Sequence, residues 1–225
     1  MAKYINIHAH RPAQTIEELV LQNLMAEDYP PDDLHAGYYS VGLHPYSLGK
    51  VDEQEALNKV RLALENPRVL AVGECGLDKT LDVSLERQGV LFELQVELAE
   101  QADVPVILHV VRSHQEILDF MKKHRPSVPM IIHGFSGSPQ LALDLARAGL
   151  TLSFGDALRD DRPKVEDAFR ALPLEHILLE SDEGREDIRE LYALGAELKN
   201  MDPEVFRREV TERALGLFPG WAHRI

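Results

Sequence analysis

The chain has 225 residues, 44% of them hydrophobic, and a formal charge of −14. That length and composition can build one large domain with a sizeable core, while the charge excludes a broad electrostatic grip on a nucleic-acid backbone, which needs a basic surface. Cys75 is the only cysteine, which excludes an intrachain disulfide, and no apolar run approaches the length of a membrane span.

The chain opens directly in a strand pattern with no apolar signal region, so a cytoplasmic protein with no membrane partner is expected. Lys3–Ile7 is strand-like and leads into His8-Ala9-His10. Leu19–Leu24 follows as a weaker strand, with Glu18 and Gln22 breaking its apolar pattern. Tyr38–Gly42 leads into Leu43-His44-Pro45. The segments joining these strands, residues 11–18 and 26–37, carry Pro12, Pro30 and Pro31 and are too short for ordinary helices.

From there strand and helix patterns alternate. Glu53–Glu65 is an amphipathic helix, and Val69–Gly73 leads into Glu74. The helix Ser84–Gln101 precedes Val104–Leu108, which ends at His109. Ser113–Lys123 precedes Met130–Ile132, which ends at His133. The helix Pro139–Ala148 stops at Gly149 and is followed by the strand Leu150–Phe154. After the helix Pro163–Ala171, Ile177–Leu179 runs into Glu180-Ser181-Asp182. Two helices close the chain: Asp187–Leu198, and Pro203–Leu217 with Asp202 as its N-cap.

Nearly continuous apolar strands alternating with helices predict a parallel α/β architecture. The reading is a single (β/α)8 TIM-type barrel over Met1–Ile225, with shortened first and second crossovers that explain a length below the ~250 residues typical of the fold. No linker, repeat or low-complexity stretch marks a domain boundary. In such a barrel every strand end opens on one mouth, where active sites sit. His8, His10, Glu74, His109, His133 and Asp182 all stand at strand ends. Neutral imidazoles and carboxylates together are the donors that borderline divalent cations select, so the pattern predicts a metal-dependent hydrolase.

The ordered fragments Asn6-Ile7-His8-Ala9-His10, Gly42-Leu43-His44-Pro45, Gly73-Glu74-Cys75-Gly76-Leu77-Asp78, Pro105-Val106-Ile107-Leu108-His109, His133-Gly134-Phe135-Ser136-Gly137-Ser138 and Leu178-Leu179-Glu180-Ser181-Asp182 carry a closer resemblance. The chain resembles the TatD family of metal-dependent deoxyribonucleases, within the amidohydrolase-like barrels, as a compact subgroup. The resemblance covers nearly the whole chain. It implies a barrel, a site for two divalent ions (Zn, Mn, Mg, Fe or Co) and hydrolysis of phosphodiesters, with DNA ends or a small phosphodiester as substrate. Asn6 departs from the family's usual Asp, Val110-Val111 displaces the usual arginine to Arg112, and His133-Gly134-Phe135 replaces the commoner His-Cys-Phe.

On this resemblance His8, His10, Glu74 and Asp182 hold one ion and Glu74, His109 and His133 the other, with Glu74 bridging. Glu74 and Asp182 are the catalytic candidates, Asp182 as the acceptor of the proton of an attacking water. The alternative for Asp182 is an N-cap of the helix that follows. His44 and Arg112 are read as substrate-facing, Arg112 through the fork of its guanidinium. The same donors suit hydrolysis of an amide, ester or lactone, which is the first rival; a non-catalytic binding or scaffold barrel is the second.

Overall fold

The computed structural model describes residues 4–31, 37–160, 162–184 and 187–222. Its elements in chain order begin with β1 (Tyr4–Ala9), β2 (Glu18–Met25) and β3 (Tyr38–Gly42). There follow α1 (Glu53–Ala63), β4 (Val69–Asp78), α2 (Leu85–Ala102), β5 (Val106–Val111), α3 (His114–His124) and β6 (Met130–Ile132). The remainder is α4 (Pro139–Arg147), β7 (Thr151–Phe154), α5 (Asp156–Arg159), α6 (Pro163–Ala171), β8 (Ile177–Leu179), α7 (Ile188–Leu198), α8 (Pro203–Leu217) and α9 (Pro219–Ala222).

Strand order in the eight-stranded sheet is chain order, β1 through β8, the (β/α)8 arrangement read from the sequence. The first two crossovers are short as expected: among the described residues no α-helix separates β1 from β2, and only a 3-10 turn, Ala26–Asp28, lies between β2 and β3. No helix among the described residues is long and apolar enough to cross a membrane.

The chain divides into two compact units, Asn23–Ile131 and a second composed of Met1–Gln22 with Ile132–Ile225. In the Asn23–Ile131 unit, β4 is buried along its whole length. Glycines let its neighbours approach: a Cβ at Gly42 would lie 2.7 Å from Gly73, and one at Gly76 would lie 2.1 Å from the His109 carbonyl. The register between β4 and β5 shifts between Val72 and Cys75, then runs on as Cys75↔Leu108, Gly76↔His109, Leu77↔Val110 and Asp78↔Val111. The ladder therefore carries β4 past Glu74 and β5 past His109, where the apolar runs alone place the strand ends.

Helix α2 starts at Ser84, whose hydroxyl accepts from the Arg87 N–H. Its Gln95 accepts from the Leu43 N–H at 2.7 Å and donates to the Leu43 carbonyl at 3.1 Å. Gln88, two turns earlier on the same face, brackets Asp78 in the same way, at 2.7 Å and 2.9 Å. Both glutamines are buried.

In the Met1–Gln22 and Ile132–Ile225 unit, β1 pairs with β2 in parallel from Tyr4↔Glu18 to Ala9↔Gln22. On its other side an isolated parallel bridge joins Ala9 to Asp182, just beyond β8, and β8 pairs with β7 from Leu152↔Ile177 to Phe154↔Leu179. Phe135, Phe154 and Phe169 meet edge-on beneath these strands, and Phe206 continues the row. Tyr192, buried on α7, donates its hydroxyl to the Ile5 carbonyl at 3.0 Å and accepts from the Ile5 N–H at 3.1 Å.

Candidate metal centre

β1 alternates its side chains, so Ile5, Ile7 and Ala9 share one face while Asn6, His8 and His10 share the other. His8 is fully buried and His10 is exposed. Their Nε2 atoms each lie 3.4 Å from Asp182 Oδ1. The ligand atoms of His8, His10 and Asp182 all fall within 4.8 Å of one another. His133, just after β6, places its ring 4.4 Å from that of His8. Its Nδ1 lies 3.5 Å from Glu180, whose Oε1 accepts the Gly134 N–H at 2.6 Å and so fixes the turn that presents the histidine.

Asp182 does not cap the next helix; Asp187 does that for α7. The Asp182 backbone is left-handed, with φ 48, its N–H bonded to the His8 carbonyl and its own carbonyl to the His10 N–H, each at 3.0 Å. Burial pushes its carboxyl pKa up, but hydrogen bonds from His10 and His8 and the charges of His8 and His133 outweigh this and hold it well below the usual carboxylate range.

In the Asn23–Ile131 unit a second group forms, with ligand atoms of His44, Glu74 and His109 within 4.8 Å of one another. Asn23 on β2 accepts the Glu74 N–H at 2.8 Å and the Ser40 hydroxyl at 3.1 Å, setting the backbone from which Glu74 projects. Glu74 Oε1 lies 2.7 Å from His109 Nδ1 and 3.2 Å from His44 Nε2. His109 Nε2 in turn faces Asp78 at 3.3 Å. Burial raises the Asp78 pKa, and bonds from Thr80 and His109 more than reverse the rise.

The two histidines of this group differ in chemistry. His44 Nδ1 accepts the Tyr46 N–H at 3.0 Å. A neutral imidazole with an accepting Nδ1 carries its proton on Nε2, so His44 donates to Glu74 and has no lone pair there for a cation. His109 faces Glu74 with Nδ1 and Asp78 with Nε2, and a carboxylate on one ring nitrogen is the kind of partner that orients ligating histidines. Glu74 and His109 are thus the candidate donors of this group, with His44 and Asp78 in contact with them.

Arg112 follows β5 on the loop to α3, exposed and with a positive φ of 54. Among the described residues it makes no hydrogen bond or ion pair. Asn23, Gln88 and Gln95 were not singled out as supports of the site by sequence reasoning; the one available signal was a polar residue at a buried strand or helix position. The donor set of both groups, neutral imidazole with carboxylate, fits a divalent cation of the Zn, Mn, Fe or Co type.

Residues 25–219 match the family described as TatD related DNase. The chain is similar to an uncharacterized metal-dependent hydrolase, YjjV, of Escherichia coli K12, being 37% identical over 175 residues that cover 76% of this chain and 65% of the relative. It is also 33% identical over 147 residues to a 3'-5' ssDNA/RNA exonuclease TatD of Erwinia billingiae, covering 64% of this chain and 56% of the relative. The aligned stretch therefore spans less than two thirds of either relative's length. The crystal structure of YjjV, a TatD homolog from Escherichia coli K12, is similar with a TM-score of 0.85 and 26% identity, over 97% of this chain and 98% of that one.

Proposed function

The chain belongs to the TatD related DNase family, and on that premise we propose that it is a divalent-metal-dependent hydrolase that cleaves phosphodiesters of single-stranded nucleic acid from an accessible end. The observation that carries the reading is the convergence of His8, His10 and Asp182 within 4.8 Å. We assign one cation position to these residues with His133 beside them, and another to Glu74 and His109. Divalent cations bound there supply an activated water and polarise the phosphoryl oxygen.

The chain's own groups do the rest. Asp182 would accept the proton of the attacking water as the oxygen adds to phosphorus and the bond to the leaving sugar oxygen breaks, that oxygen taking its proton from solvent. Asp78 holds His109 in orientation, and His44 holds Glu74. Arg112 pairs with a non-bridging phosphate oxygen. We place the protein in the cytoplasm, where nucleic-acid ends and small phosphodiesters are both present.

A second reading, hydrolysis of a carbonyl ester, amide or lactone on the same donors, is favoured by the charge of −14, which opposes the approach of a polyanion. The test is a panel on metal-reconstituted protein: single-stranded DNA, duplex DNA, RNA, a small phosphodiester and a neutral ester. Turnover of the single strand above the others is the expected result. Turnover of the ester alone would replace the reading with the second one, and no divalent-metal binding above background would remove both.

A further inference from the structure

Glu18 is a buried acid that the proposed reaction does not use. Its Oε1 accepts from Asn6 Nδ2 at 3.0 Å and from Arg11 Nη2 at 3.2 Å. Its Oε2 accepts from Arg11 Nη1 at 3.2 Å and from the Gln14 N–H at 2.7 Å. Four donors on one carboxylate make it the centre of a network rather than half of a surface pair.

Both ends of that network reach the residues around Asp182. Asn6 is fully buried, and only one orientation of its amide satisfies its neighbours. Its Oδ1 accepts the Ser181 N–H at 3.0 Å, so its Nδ2 faces Glu18 and also donates to the Ser181 hydroxyl at 2.8 Å. Arg11 Nε donates to the Gly184 carbonyl at 3.3 Å. Ser181 and Gly184 flank Asp182, and both are tied to the same carboxylate, one through an amide and the other through a guanidinium.

We infer that Asn6, Arg11 and Glu18 are positioning residues that form a brace for Asp182, and that the brace works only with a single carboxylate across the contact between positions 6 and 18. An Asp at position 6 would set two acceptors and two negative charges face to face, at the 3.0 Å where a donor now meets an acceptor. Exchanging the two roles restores the contact between positions 6 and 18 and keeps a single charge: in the double variant Asn6→Asp with Glu18→Gln, the amide donates from the other side and the carboxylate still accepts from Ser181, while Arg11 Nη2, which shares Glu18 Oε1 with Asn6, loses that acceptor. Each single substitution breaks the count, by removing the carboxylate or by adding a second. The inference rests on the reading of Asp182 as a site residue.

The experiment compares wild type, Glu18→Gln, Asn6→Asp and the double variant, each as the full metal-reconstituted chain at pH 8. Mn2+ affinity is read by calorimetry, and kcat and KM on a single-stranded oligonucleotide by steady-state assay. Each single variant is expected to lose ~10-fold or more in Mn2+ affinity and in kcat, the scale for outer partners of metal ligands, with KM little changed. The double variant is expected to regain ~3-fold or more over each single variant, because the two sites couple directly, without reaching wild type, since Arg11 has lost one acceptor. Single variants that match wild type, or a double variant no better than both singles, would overturn the brace. If a single variant does not fold, recovery of folding and Mn2+ binding in the double supports the brace, and its failure overturns it. If wild type binds Mn2+ but cleaves no phosphodiester, the proposed function fails while the calorimetric comparison still decides the brace.

Discussion

Glu74 is held at both ends: Asn23 fixes its backbone N–H, and His109 and His44 meet its carboxylate. Glu74→Gln keeps the shape and the backbone bond but halves the acceptor capacity and removes the charge a cation needs. Activity should fall by ~100-fold or more, the scale of losing a key polar catalytic group, with the thermal unfolding midpoint nearly unchanged. Near-normal turnover in the metal-replete variant would take Glu74 out of the site. Arg112 offers a cleaner separation of binding from chemistry. Arginine and alanine bear the same left-handed backbone cost at φ 54, so Arg112→Ala removes the side chain alone. If the guanidinium pairs with phosphate, KM for a single-stranded oligonucleotide should rise ~10-fold, the worth of one charge-assisted hydrogen bond. Metal content and turnover of a neutral ester should stay as they were; equal losses on both substrates would point to damage of the fold. Cys75 belongs to the other kind of residue, packed behind Glu74 with its thiol pKa pushed up by burial first and by the Glu74 charge second.

At the scale of elements, the site depends on α2 more than its pattern announces. Gln88 and Gln95 sit on its buried face and close the backbone of the strand ends at Asp78 and Leu43, next to His44. Gln95→Leu would keep the volume but leave the Leu43 N–H and carbonyl buried without that partner, at a cost on the order of 2–4 kcal/mol. Urea unfolding should show a lower midpoint at an unchanged slope; a loss under ~0.5 kcal/mol would mean water replaces the glutamine. These contacts also explain what the sequence could and could not show. The helices were legible because caps such as Ser84 and Asp202 and the prolines at positions 139, 163 and 203 mark their starts. α5 and α9 are four residues each, too short for any periodicity to register. Donor residues stood out because a histidine or glutamate at the end of an apolar run is costly unless it has a partner. What those partners are was hidden, since Asn6 meets Ser181 across 175 residues of chain and Leu43 meets Gln95 across 52. The same blindness made β2 look weak: of Glu18 and Gln22, which break its apolar pattern, Glu18 is held by Asn6, Arg11 and Gln14.

The whole molecule adds its charge. Removal of divalent cations with a chelator should lower the unfolding midpoint of wild type, since a ligand at 100 times its Kd stabilises a fold by ~2.7 kcal/mol. Ionic strength is the more searching variable. A chain of formal charge −14 repels a polyanion at long range, and under the proposed function attraction would be left to the cations and Arg112 at contact. The Debye length shrinks from ~30 Å at 0.01 M salt to ~10 Å at 0.1 M. Added monovalent salt therefore screens the distant repulsion before it reaches contacts a few ångströms long. With divalent metal held constant, kcat/KM on a single-stranded oligonucleotide should rise ~2–5-fold over that range. A basic nucleic-acid-binding protein shows the opposite slope, because it gains by releasing counterions. A small phosphodiester with one charge should respond less, and a neutral ester should not respond. A steep fall in the oligonucleotide rate with salt would mean that a cationic surface captures the strand, and local capture by Arg112 and the cations would then be the wrong account of how an acidic protein holds an acidic substrate.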